Sequence, residues 1–193
     1  MFSEDTDCNA DGYKFLTKAI GYFQKNGGKL LKYQHKLQGQ SGEYLYQILK
    51  CNPSLIVLSF KHIFLTLHDA KAIGKVLTTF ADIRELDLTD TNITVAHGKE
   101  IADGLIKAKK LEYIKIGQNK ELDPTQIIYN LAFTPNVKYI DLQGNLKAKN
   151  SQTAEALYKL IKISVSIESL QLANTSILNI LSPEFFQALG ESR

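Results

Sequence analysis

Histidine and cysteine are the side chains that most often hold a metal or carry out catalysis, and the chain has four histidines and two cysteines. The histidines are His35, His62, His68 and His97. No two of them have the helical spacing of a metal-binding pair. Cys8 and Cys51 stand 43 residues apart without a second pair, so neither a disulfide framework nor a zinc site is indicated. We therefore expect no metal and no cofactor.

A histidine base oriented by a carboxylate is the one catalytic arrangement that the spacing allows. His62 and Asp90 lie 28 residues apart, at the same position of two neighbouring copies of a repeat described below, which would bring them together. Such a base also needs a nucleophile and a pocket, and Cys51 falls in a helix-to-strand connection away from both residues. Gly27-Gly28 lacks the preceding strand and the Lys-Ser/Thr pair of a phosphate-binding loop. The sequence predicts no catalytic residues and no enzyme.

The elements that position these side chains follow from a recurring spacing. In the segment 83–93, apolar residues occupy the first, fourth, sixth and eleventh places, and Thr91 occupies the ninth. The pattern recurs with first positions at Leu55, Ile83, Leu111, Val137 and Ile167, in steps of 28, 28, 26 and 30 residues. A weaker copy aligns Leu31 with Leu58 and starts near residue 28. Such a period is typical of a solenoid that adds one strand and one helix per turn.

This spacing predicts an α/β fold with a parallel sheet on the concave side and helices on the convex side, in about five to six repeats. Repeats start near residues 28, 55, 83, 111, 137 and 167. The predicted helices lie near 42–49, 69–80 and 97–107, with three more beginning near 124, 151 and 183. The repeat domain covers 28–190, and its last repeat serves as the C-terminal cap. An amphipathic helix within 1–27 is expected to cover the apolar edge of the first repeat.

The ninth positions carry the signature of a known class. They are Thr91, Asn119, Asn145 and Thr175, with Ile63 in the first clear repeat. With the leucine spacing, these residues resemble the ribonuclease-inhibitor-type leucine-rich repeats, over residues 28 to 190. The resemblance implies that the ninth side chains bond backbone groups in the turn and stack repeat on repeat. It is nearly silent on function, because the class includes inhibitors, immune receptors, cytoskeletal caps and bacterial effectors.

Residues between the buried positions of each strand must point away from the core, because side chains alternate along a strand. We predict that they form a partner-binding surface on the concave face. Its residues are Val57, Ser59, Lys61, Glu85, Asp87, Thr89, Tyr113, Lys115, Tyr139, Asp141, Gln143 and Gln171. Tyr113 and Tyr139 occupy the same place in adjacent repeats, so they should stand side by side. Tyrosine is a favoured residue at the centre of protein interfaces. The alternative is that the two rings merely cover sheet backbone.

The charge balance of the chain favours a protein as its partner. The net charge is +3, from 23 basic and 20 acidic residues, which is too even to indicate nucleic acid or an anionic membrane. No apolar run is long enough to cross a bilayer, and the acidic N-terminus is unlike a secretory signal.

The expected role is a non-enzymatic protein-binding module, cytoplasmic or delivered into a host cytosol. The lysine-, isoleucine- and asparagine-rich composition is similar to leucine-rich-repeat effectors of intracellular bacterial pathogens. The alternatives are a cytosolic eukaryotic adaptor, of the ubiquitin-ligase or actin-regulating type, and a self-associating structural repeat protein whose C-terminal edge pairs with a second copy.

Overall fold

The computed structural model describes residues 56–79, 82–145 and 150–191, together with the backbone of residues 30–32. The capping helix predicted within 1–27 and the helix predicted near 42–49 lie outside these residues. The described part of the chain alternates strands with helices, so the α/β class is confirmed.

Within the described residues, the sheet contains six short strands in chain order, and every pairing between neighbours is parallel. The strands are β1 (Leu30–Lys32), β2 (Val57–Ser59), β3 (Glu85–Asp87), β4 (Tyr113–Lys115), β5 (Tyr139–Asp141) and β6 (Ser169–Gln171). In β1, Leu31 pairs with Leu58, as the weaker first copy of the pattern predicted.

The middle residue of each strand from β2 to β5 points into the core. These residues are Leu58, Leu86, Ile114 and Ile140, which follow one another in the register and are fully buried. The next inward positions, Phe60, Leu88, Ile116 and Leu142, are equally buried. Burying one such side chain stabilises a fold by about 1.5–3 kcal/mol, which makes this double row the main source of cohesion between strands. In β6 the equivalent Leu170 and Leu172 are half-buried.

Five helices occur in the described residues, each after a strand. They are α1 (Leu67–Thr79), α2 (Val95–Leu105), α3 (Thr125–Leu131), α4 (Ser151–Ile163) and α5 (Pro183–Glu191), with a short 3-10 helix at Ile177–Asn179. Polar side chains accept hydrogen bonds from backbone N–H groups at the N-termini of α1 and α4. The backbone N–H of Thr66 donates to Asp69 Oδ2 at 2.8 Å before α1, and that of Thr153 donates to Asn150 Oδ1 at 2.7 Å in α4. At the start of α2, the His97 ring Nδ1 accepts a hydrogen bond from the Thr94 N–H at 3.3 Å.

The turns after β2 to β6 each have a residue in the left-handed backbone region at the same position. These residues are His62, Asp90, Gln118, Gly144 and Asn174, with φ between 55° and 71°, and Asn92 after β3 is a further one. The turn places the next residue inside, where buried Asn119 links two successive units. Its Oδ1 accepts from the N–H groups of Thr91 and Ile93, at 3.0 and 3.2 Å, and its Nδ2 donates to the Leu88 carbonyl at 2.9 Å. Asn145 Oδ1 in turn accepts from the Asn119 N–H at 2.9 Å. The side chains of Thr91, Asn119 and Asn145 therefore stack unit on unit, as predicted, and Thr175 Oγ1 donates to the Leu172 carbonyl of its own turn at 2.7 Å.

Ile63, which departs from the pattern, keeps the same turn. Its N–H donates to the Phe60 carbonyl at 2.9 Å, and its side chain is buried. His62 N–H donates to Thr89 O at 3.0 Å, as Asp90 N–H does to Gly117 O in the next unit. An apolar residue is tolerated here because backbone hydrogen bonds alone close the turn.

Candidate functional site: the outer face of the sheet

The side chains at the first and third residues of β2 to β5 and at the third residue of β6 face away from the core, together with those of Lys61, Thr89 and Gln143, each the second residue after its strand. We call this surface the outer sheet face, and it consists of the twelve residues predicted from the sequence. Tyr113 is 41% exposed, Lys61 is exposed, and most of the others are half-buried. Ser59 and Asp87 are only 8% exposed. Both are short side chains flanked by neighbouring strands.

Tyr113 and Tyr139 are direct register partners on β4 and β5. Their ring centroids lie 6.3 Å apart with the planes inclined by 37°, within the range of favourable aromatic pairs. Tyr139 is half-buried, so the pair forms an aromatic surface that is supported from one side and open on the other. The sequence had predicted that they stand side by side, and the geometry confirms it.

Lys115 and Glu85 form the central ion pair of this face. Lys115 Nζ donates to Glu85 Oε1 at 2.6 Å, and both side chains are about 30% exposed. Burial disfavours the charged ammonium, but the hydrogen bond and charge of Glu85, with smaller effects from Asp87 and Tyr139, outweigh it and raise the pKa of Lys115. Lys115 is therefore a fixed cation at neutral pH, held toward β3.

Asp87 and Asp141 flank Lys115 in the register, one on each neighbouring strand. Asp87 Oδ1 accepts from the Thr89 N–H at 3.0 Å, and Asp141 Oδ1 accepts from the Gln143 N–H at 2.9 Å. These bonds to the backbone two residues later fix the orientation of both carboxylates. Asp141 packs closely against Gly117, because a Cβ atom on Gly117 would lie 3.1 Å from Asp141 Oδ1.

His62 and Asp90 meet at the rim of the sheet, as their matching positions predicted. His62 Nδ1 lies 2.9 Å from Asp90 Oδ2, and the two side chains are 64% and 59% exposed. Within the part of the chain that the structure describes, no hydroxyl or thiol group hydrogen-bonds to His62. The pair is open to solvent, with both side chains more than half exposed.

A second charged row, which the sequence analysis missed, lies at the opposite rim, where the strands begin. Arg84 Nη1 and Lys138 Nζ lie 3.2 and 3.4 Å from the two oxygens of Glu112. The three residues occupy the same position of successive repeats and alternate in sign, and that alternation was the available signal.

The helix side carries an aromatic group that sequence reasoning also missed. Tyr129 and Phe133 have ring centroids 5.5 Å apart, and Lys159 Nζ lies 4.3 Å from the centre of the Tyr129 ring. A groove of about 250 Å³ between α3 and α4 runs along Tyr129, Glu155 and Lys159. Tyr129, Phe133 and Lys159 therefore contact one another on the helix side of the protein.

Comparisons with known proteins do not add a function. The chain matches no model of a known protein family, and no curated protein has a detectably similar sequence. Among the described residues, no group of three or more histidine, cysteine, aspartate or glutamate side chains could hold a metal ion. None of the described helices has the length and apolar character needed to span a membrane.

Proposed function

We propose that the chain is a leucine-rich-repeat solenoid of about six repeats whose outer sheet face binds a partner protein without catalysis. The repeat assignment is supported by the matching register of successive strands and by Asn119 and Asn145, whose side chains join three successive units. Scaffolds of this kind are rigid before binding, which lowers the entropy cost of association.

The observation that carries the binding proposal is the exposed tyrosine pair at the middle of the sheet. Tyr113 and Tyr139 offer two large rings with few rotatable bonds and a hydroxyl group at each tip. Side chains of this type dominate the energetics of protein interfaces when they lie near the centre and are ringed by polar groups. Here the surrounding groups are Lys115, Asp87 and Asp141, whose orientations are already fixed.

The dimensions of the face suit a protein partner. Six strands at about 4.8 Å spacing span roughly 24 Å, close to the width of an interface of ordinary size. Small-molecule sites are typically concave and enclosed, and the groove between α3 and α4 lies on the helix side, away from this face. A broad, shallow, mixed polar and aromatic surface is typical of protein recognition.

The test is a quantitative affinity capture from a eukaryotic cytosolic lysate with three forms of the purified protein. They are the wild type, the sheet-face variant Tyr113→Ala/Tyr139→Ala, and the helix-side variant Tyr129→Ala/Tyr158→Ala. The helix-side variant also removes two tyrosine rings, but from the helices. We expect specific proteins to be lost from the sheet-face variant and retained by the helix-side variant. Thermal melting of each variant shows that the fold is kept. Capture that survives in the sheet-face variant and disappears in the helix-side variant would move the site to the helices.

A further inference from the structure

We infer that the partner docks on the outer sheet face through a basic polypeptide segment, with an arginine side chain placed against Tyr139 and the carboxylate of Asp141. This inference rests on the proposed function and adds the chemistry of the partner. It follows from the charges that remain on the face once internal ion pairs are taken into account.

The centre of the face has more negative charge than its own cations neutralise. Glu85, Asp87 and Asp141 stand on β3 and β5, and Lys115 is the cation between them. In the described residues, neither Asp87 nor Asp141 has a lysine, arginine or histidine nitrogen within 4 Å. The chain as a whole carries a net charge of +3, so this acidic centre is a local feature and not a reflection of composition.

Glu85 is what keeps Lys115 from neutralising both aspartates. Lys115 Nζ lies 2.6 Å from Glu85 Oε1, on the side of β4 that faces away from β5. Asp141, on β5, is thereby left without a basic side chain within 4 Å among the described residues, beside the half-buried Tyr139 of the same strand. A partner cation that reaches Asp141 meets a Lys115 charge that Glu85 already compensates.

The carboxylates of Asp87 and Asp141 lie too far apart to bind one metal ion together. Asp87 and Asp141 are separated by two strand spacings, about 10 Å. A single metal ion needs oxygen atoms within about 2.6 Å, so the pair could not share one. Asp141 Oδ1 is already bonded to the backbone, so its other oxygen is held in a fixed direction at little further entropy cost, whereas Asp87 is only 8% exposed.

The neighbouring aromatic rings favour arginine over lysine. A guanidinium group is planar, stacks on aromatic rings, and donates two parallel hydrogen bonds to a carboxylate. Tyr139 and Asp141 are alternate residues of β5 and therefore project from the same face. An arginine laid across Tyr139 would reach Asp141 with its donors while its carbon chain covers the exposed Tyr113 ring.

The experiment uses a displayed library of random twelve-residue peptides, selected on the wild-type protein and counter-selected on Tyr113→Ala/Tyr139→Ala. The most enriched peptide is then synthesised and titrated against four proteins by fluorescence anisotropy. They are the wild type, Asp141→Asn, Lys115→Gln and Glu155→Gln. Asp141→Asn keeps the acceptor for the Gln143 N–H, and Glu155→Gln makes the same charge change on the helix side. Thermal melting confirms that each variant is folded.

We expect the enriched peptides to share an arginine next to an apolar residue. Binding should weaken roughly tenfold in Asp141→Asn. It should tighten in Lys115→Gln and stay within about twofold in Glu155→Gln, because a distant charge is screened. Tyrosine-dependent peptides without basic residues, or an affinity unchanged by Asp141→Asn, would overturn this inference and leave the proposed function standing. A library that yields no tyrosine-dependent peptide would overturn both.

Discussion

Gly104 of α2 lies against Gly74 of α1 so closely that a Cβ atom on Gly104 would come within 2.4 Å of the Gly74 carbonyl oxygen. Because that neighbour is backbone, the two helices must separate to admit even a methyl group. We expect Gly104→Ala to lower the free energy of unfolding by about 1–3 kcal/mol, measured by urea denaturation. Gly190→Ala in α5 is the matched control, since a Cβ atom there meets nothing within 4 Å. It should keep or slightly raise stability, because alanine favours helix over glycine. Equal effects of the two substitutions would contradict this packing.

Adjacent residues of β2 test the direction of the side chains. Leu58 is fully buried, and Val57 beside it faces outward and is half-buried. Leu58→Asp should unfold the protein, because it places an unpaired charge in the core. Val57→Asp should leave the protein folded, with a loss of about 1 kcal/mol or less from the lower strand preference of aspartate. Circular dichroism melting distinguishes the two, and the opposite order of stability would show that the strand faces are reversed.

The Asn119 side chain holds together two turns of the chain. Asn119→Ala leaves the Thr91 and Ile93 N–H groups and the Leu88 carbonyl without this partner in a buried region. We expect a loss of more than about 3 kcal/mol, because each unsatisfied buried polar group costs roughly 1–3 kcal/mol. Asn136→Ala, which removes an exposed side chain bonded to the Lys109 carbonyl, should cost about 1 kcal/mol or less. Chemical denaturation compares them, and a mild effect at Asn119 would argue against the ladder as a source of stability.

His97 should make stability depend on pH. Burial lowers the pKa of its ring below the ordinary value of 6.5, although a hydrogen bond with the Leu65 backbone and the charge of Asp69 oppose this. The unfolded chain therefore takes up the proton first, so the contribution of neutral His97 is complete above pH 6.5 and is lost as the pH falls below it. His97→Gln keeps a residue suited to the capping box but cannot titrate. The wild type should lose more stability than His97→Gln between pH 7.5 and 5, measured by thermal melting. Parallel curves would mean that His97 does not contribute.

Much of the fold and half of the site could be predicted from the sequence, for a definite reason. A period near 28 residues fixes which residues become neighbours, so the Tyr113–Tyr139 and His62–Asp90 pairs and the Asn119 position followed from counting. Counting does not reveal which way a long side chain turns. Lys115 reaches Glu85, 30 residues away, although Asp87 and Asp141 are its register partners, and this choice decides which carboxylates stay unpaired.

Helix packing was harder to predict, because it depends on where two surfaces touch. The period of the strands does not show that Gly104 and Gly74 face each other across two helices. The burial of Asp87 likewise depends on the size and orientation of the side chains around it, which the repeat spacing does not predict.

The central claim is that a partner protein covers the outer sheet face. The most direct measurement is hydroxyl-radical footprinting of the complex with a protein identified by the affinity capture, reading oxidation at four tyrosines by mass spectrometry. Tyr113 and Tyr139 report on the sheet, and Tyr129 and Tyr158, 40% and 37% exposed, report on the helices. We predict strong protection of Tyr113 and Tyr139 with Tyr129 and Tyr158 unchanged. Protection of Tyr129 and Tyr158 while Tyr113 and Tyr139 stay reactive would contradict the account.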